Sequence, residues 1–265
     1  TSLSCGNLLP LDYQVSAGNY HTCALDDTGV QCWGGVDNDF GQTTVPALSN
    51  PVQVSAGSFH TCALDDTGVQ CWGSTRYGQT TVPALSNPVQ VSAGGGHTCA
   101  LDDTGVKCWG GVDNDFGQTT VPALSNPVQV SAGTSHTCAL DDTGVKCWGD
   151  NEYDQTTVPP LSNPVQVSAG YFHTCALDDT GVKCWGRDDY DQTAVPPALS
   201  NPVQVSAGQY HTCALDDTGV QCWGRDNDDQ TTVPALLNPV QVSAGTKHTC
   251  ALDDTGVQCW GDNTS

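Results

Sequence analysis

The fourteen residues His21–Gly34 read HTCALDDTGVQCWG, and they return six more times with only a Gln/Lys exchange at the eleventh position. The opening histidine falls at His21, His60, His97, His136, His173, His211 and His248, in steps of 39, 37, 39, 37, 38 and 37 residues. A period near forty confines the chain to repeat architectures, in which a unit buries its apolar face only by stacking on its neighbours. A full unit, Val52 to Pro88, reads VQVSAGSFHTCALDDTGVQCWGSTRYGQTTVPALSNP. Its short runs of Val, Thr, Cys and Trp are bounded by Gly, Pro, Asn and Asp, and no helical stripe is present. VQVSA, HTCAL, VQCWG and TTVP therefore read as four strands, DDTG as a tight hairpin turn with Gly29 at positive φ, and ALSNP as the connection onward.

Four strands at this period predict an all-β fold, a seven-bladed β-propeller of four-stranded antiparallel blades. The expected organisation is one domain over 1–265, with units at about 13–51, 52–88, 89–127, 128–164, 165–202, 203–239 and 240–265. The last unit ends at CWGDNTS without its TTVP. Residues 5–12, containing Asn7-Leu8-Leu9-Pro10, are the expected strand that closes the ring by completing the last blade. Entering a neighbouring molecule instead, the same strand would link subunits.

The 29 acidic residues face only seven Lys plus Arg, a formal charge of -22. Such a surface repels phosphate backbones and anionic membranes, so no nucleic-acid partner is expected. No apolar run approaches the ~18 residues of a spanning helix, so no membrane insertion is expected. The absence of methionine and the opening TSLSCGNLLP read as a processed N-terminus. Fifteen cysteines without a CxxC pair fit an oxidising compartment, and the expected location is extracellular or at the cell surface.

Around a DDTG turn, Leu25 faces Val30 and Cys23 faces Cys32, with β-carbons roughly 4.5–5.5 Å apart, near disulfide range with some strain. Seven bridges follow: Cys23–Cys32, Cys62–Cys71, Cys99–Cys108, Cys138–Cys147, Cys175–Cys184, Cys213–Cys222 and Cys250–Cys259. His21, Cys23 and Cys32 would share a face as three zinc ligands without a fourth, so bridges are preferred and no metal site is assigned. Ser16, His21 and Asp26 recur in every unit, which argues for structure, since a catalytic site is normally singular; no enzyme is expected. The acidic loops DNDF, DNEYD, DDYD and DNDD suit calcium in chemistry but lack the spacing of a complete loop, and turn formation is the simpler account. No cofactor is expected, with calcium kept as a secondary reading.

The pattern VSAG..HTCAL..DTGVQCWG....GQTTVP resembles the repeats of the regulator of chromosome condensation superfamily, over about Asn7 to Asn263. It is especially similar to bacterial members carrying HTCAL and CWG, and to beta-lactamase-inhibiting members with QTTVP-like strands. The resemblance implies a seven-bladed propeller with structural histidines. It does not fix function, because exchange factors and inhibitors share the fold. Chromatin-bound members need basic surfaces, which this chain lacks.

The units differ in two places, the pair before each histidine and the loop after each CWG, which a hairpin brings to one rim. That face carries most of the aromatics and all three Arg, and its candidate partner-binding residues are Tyr20, Phe59, Arg76, Tyr77, Tyr153, Tyr171, Phe172, Arg187, Tyr190, Tyr210 and Arg225. Cys5 has no partner in the seven-pair scheme and is a candidate for an intermolecular bond. Asn263-Thr264-Ser265 is the one glycosylation sequon. The resulting expectation is a non-catalytic, secreted, disulfide-stapled propeller that binds protein or serves as an extracellular structural module. Its alternatives are a self-assembling filament or surface-layer subunit joined through the N-terminal strand and Cys5, and an inhibitor of a secreted enzyme.

Overall fold

The repeated phrase folds as a hairpin because its turn is chemically specified. In the computed structural model, which describes residues 13–35, 39–111 and 116–262, His21–Asp26 pairs antiparallel with Gly29–Gly34. Asp26 Oδ1 accepts the backbone N–H and the hydroxyl of Thr28, and Gly29 takes a φ of +105°, where a Cβ is rarely tolerated. Two turn residues thereby lock the register, with Leu25 opposite Val30 and Cys23 opposite Cys32. Gln14–Ala17 pairs with the other edge of His21–Asp26, so the sheet runs inner, middle, outer strand. Seven sheets repeat this order, and no described residue is helical.

The blades have three strands rather than the expected four. TTVP runs without a ladder because its backbone groups close local turns: Thr81 N–H bonds to Gly78 C=O and Val82 N–H to Thr80 C=O. The proline that follows has no N–H to offer a neighbouring strand. The segment is instead tied to the next blade by side chains, since Thr61 Oγ1 and Trp72 Nε1 both donate to Gln42 C=O, at 2.8 and 2.9 Å.

Blades stack through small apolar residues. Cys62 and Leu64 of the second blade pack on Val91 and Ala93 of the third, with Val69 and Cys71 at the edge, and the other seams repeat the set. The inner strands are also stitched around the circumference. Gln53 Nε2 donates to Val91 C=O, its Oε1 accepts Val91 N–H, and Ser55 Oγ accepts Ala93 N–H. The seventh blade meets the first in the same way, with Val15 N–H on Gln241 Oε1 at 2.8 Å and Ala17 N–H on Ser243 Oγ at 2.9 Å. A central cavity of about 760 Å³ is lined by these Gln, Val and Ser residues. The expected closing strand 5–12, with Cys5, and the Asn263 sequon lie outside the described residues.

All seven expected cysteine pairs are bonded, with Cα atoms 4.0–4.1 Å apart. So many intrachain bridges point to an oxidising, non-cytosolic environment. No helix of the described residues is long and apolar enough to cross a membrane.

Candidate functional site

The histidine and the threonine that open the repeated phrase are committed to the interior in every unit. Each buried histidine places Nε2 within 2.7–2.9 Å of a threonine hydroxyl on the next blade, from His21–Thr61 around to His248–Thr22. In blades two to seven that hydroxyl gives its proton to a glutamine carbonyl, as Thr98 does to Gln79. The facing histidine must therefore donate from Nε2–H. Its Nδ1 is left buried with no polar partner in His21, His60, His97, His136, His173 and His211. A Cβ on Gly57 would fall 2.9 Å from His60 Nδ1, so only glycine lets the backbone cross the ring edge there. Burial drives the pKa of His60 down to about 3 and that of His97 to about 4. These are neutral structural imidazoles. Ser16, which recurs in step with them, accepts Ala56 N–H instead of meeting a histidine.

The first aspartate of each DDTG is a turn hub. Asp102 accepts Thr104 N–H and Oγ1 on one oxygen, and Ser86 N–H and Lys107 Nζ on the other. Burial pushes its pKa up, but Lys107, Thr104 and the backbone donors outweigh that and hold the carboxyl well below its usual range. In two of the four units with Gln at the eleventh position the amide does the same work, Gln70 Nε2 and Gln221 Nε2 each lying 2.7 Å from the aspartate Oδ2, while Gln31 and Gln258 donate to the turn threonine hydroxyl instead. The acidic loops after CWG cap themselves. Asp226 accepts Thr231 N–H and the Thr232 hydroxyl, Asp188 accepts Thr193 N–H, and Asn151 accepts Thr156 N–H. Among the described residues no group of three or more His, Cys, Asp or Glu is placed to hold a metal. Val36–Asn38 and Val112–Asp115, which include part of the DNDF loop, lie outside the described residues.

The variable residues collect at the other end of the ring. The first member of most pairs before the histidine lines a narrow axial opening of about 90 Å³, Tyr171 among them with Asn19, Ser58 and Gln209. Phe172 packs on Tyr171 at 4.3 Å and on Tyr153 at 5.2 Å, while Tyr210 lies 5.2 Å from Tyr190 and 6.4 Å from Tyr171. The Arg187 guanidinium sits over Tyr153, Phe172 and Tyr210 at 4.9, 5.2 and 5.5 Å, and Arg225 over Tyr190 and Tyr210 at 5.7 Å. A second group joins Tyr20 to Phe59 at 4.9 Å and Phe40 to Phe59 at 5.4 Å, and Arg76 covers Tyr77 separately. Most of these rings are half-buried against one another, whereas Arg76, Phe40 and Tyr190 are exposed. Burial beside Tyr210 and Tyr20 pushes the Tyr171 phenol up. Exposed Phe40 and Phe116 were not among the expected contacts, although both stand in the variable loops. The buried glutamines that fix those loops were missed too: Gln79 Oε1 accepts Tyr77 N–H and Gln155 Oε1 accepts Tyr153 N–H.

A family model described as the regulator of chromosome condensation (RCC1) repeat matches residues 13–42, 52–79, 89–118, 128–155, 165–192, 203–230 and 240–265. No curated protein sequence matches the chain. Among solved structures, the CRINKLY WD40 ectodomain of the Arabidopsis thaliana receptor kinase ACR4 is 26% identical, with a TM-score of 0.74 and 94% of each chain covered. The entire ectodomain of the Physcomitrella patens receptor kinase CR4 is 26% identical at a TM-score of 0.76, covering 94% of this chain and 73% of that one. Prp20p from Saccharomyces cerevisiae, described with its binding properties to Gsp1p and histones, shares the fold at 19% identity and a TM-score of 0.68, covering 80% of this chain and 72% of that one.

Proposed function

The chain belongs to the regulator of chromosome condensation (RCC1) repeat family, and on that premise we propose that it is a non-catalytic, extracellular protein-binding module. Its contact face is the arginine-aromatic cluster of the fourth to sixth units, carried on a single-domain ring. The observation that carries this reading is Arg187 held over three rings. Rings and guanidinium that already pack on one another lose little side-chain freedom on binding, which is what makes Tyr and Arg effective anchors at interface centres. The 26% likeness to plant receptor-kinase ectodomains supports an extracellular setting, as do the seven bridges. The charge of -22 favours a protein partner over a nucleic acid.

The test is capture from the native surroundings by the immobilised chain, alongside a Tyr171→Ala/Phe172→Ala/Arg187→Ala variant. A protein retained by the parent chain should be held at least tenfold less well by the variant, with the unfolding temperature within a few degrees. Equal retention by both would place the contact elsewhere.

A further inference from the structure

The end of the ring opposite the aromatic face carries an apolar feature that the proposed contact does not use. Val52, Val89, Val128, Val165, Val203 and Val240 are 50–65% exposed, each standing just before an inner strand. Their backbones are fixed, because Val128 N–H donates to Leu140 C=O at 2.9 Å and the others to the equivalent leucine. The side chains are thus held outward, not frayed. In the first unit Tyr13 takes this place, its hydroxyl on Asp27 Oδ2 at 2.7 Å.

Each valine stands one residue before a strand that lines the central cavity, and acidic side chains stand beside it. The central cavity is lined at this end by Tyr13, Asn238, Val240 and Asp254. A groove of about 560 Å³ between neighbouring blades is lined by Asp142, Leu161, Pro164 and Val165. The second aspartate of each turn is exposed here, and in units two to seven it is pinned by the asparagine two residues before the valine, as Asn126 Nδ2 lies 2.6 Å from Asp142 Oδ2. The three lysines of this end are already bound to buried aspartates, so they do not offset that rim.

We propose that this mouth is a second docking surface, for a basic partner segment that presents apolar side chains between lysines or arginines. The apolar side chains would cover the valines while the cations face the aspartate rim. Charge complementarity selects this occupant, because a second copy of the chain would bring an identical acidic rim against the first. The inference is independent of the aromatic face.

The test uses the full chain and a labelled twelve-residue peptide of alternating leucine and lysine, read by fluorescence anisotropy. We expect saturable binding that weakens with salt and falls at least tenfold in Val89→Ser/Val128→Ser/Val165→Ser, with unchanged unfolding temperature. Replacing the peptide's lysines by glutamate, or its leucines by serine, should abolish binding, and the Tyr171→Ala/Phe172→Ala/Arg187→Ala variant should bind as the parent does. The proposal is overturned by no binding, or by equal binding to the valine variant or to the serine peptide, either of which would mean charge attraction alone. It is equally overturned by a concentration-dependent dimer in sedimentation that the valine variant abolishes.

Discussion

Six imidazoles keep their proton on Nε2 because the threonine each one faces has already given its own proton to a glutamine carbonyl. Nothing polar waits at Nδ1, so adding a second proton would bury an unpartnered charge. This sets how stability depends on pH. The folded values lie at about 3 to 4, against an unfolded value near 6.5, so the unfolded chain binds protons in that window that the fold refuses. Stability from these groups is complete above about pH 6.5 and is lost as pH falls towards 4, at up to about 1.4 kcal/mol per unit for each histidine. The hub aspartates, whose folded pKa values are depressed, add a further loss below about pH 4. Urea midpoints should hold level from pH 8 to 7 and drop steeply from 6 to 4.5. A level midpoint down to pH 4.5 would show that the histidines are not buried as neutral groups. Nitrogen chemical shifts should independently report the Nε2–H tautomer.

Within one hairpin, the exchange at the eleventh position has a local explanation. Lys107, Lys146 and Lys183 reach the same aspartate oxygen that Gln70 and Gln221 reach. Lys107→Gln is therefore expected to change stability by less than about 1 kcal/mol, as half-exposed ion pairs usually do. Asp102→Ala orphans two backbone N–H groups, a hydroxyl and the lysine, and should cost about 2–4 kcal/mol in chemical denaturation. The disulfide pairs were legible in the sequence because a two-residue turn fixes every opposed pair beyond it. TTVP was not legible as an irregular segment, since valine and threonine carry strand propensity wherever they stand. Its backbone closes local turns instead, and the carbonyl just ahead of it, that of Gln42, is held by Thr61 and Trp72 of the next unit, 19 and 30 residues away. The glutamine that opens QTTVP carries no role in the sequence reading, although Gln42 and Gln79 are fully buried. The aromatic face was readable as a location, because variation between units marks it. The stacking of Arg187 on rings from three units was not, because it depends on how neighbouring blades converge.

Across the whole molecule, blades are joined by a circumferential set of glutamine and serine bonds whose two ends are far apart in sequence. A linear stack would leave the first and last blades each with one open apolar face, and its ends would fray before its middle. In the ring, Val15 covers Cys250 and Leu252, and Gln241 and Ser243 make the same bonds to the first blade that Gln90 and Ser92 make between the third and fourth. The seam between the seventh and first blades should then be as strong as any interior seam. Gln241→Ala and Gln90→Ala each leave one inner-strand N–H without its acceptor, at a cost of about 1–2 kcal/mol. Their urea midpoints should shift by the same amount, with unchanged slope. If the ends separate in solution, the Gln241→Ala shift will be the smaller, because that seam would already be open before global unfolding, and amide exchange in Gln14–Ala17 would be fast in the parent chain as well.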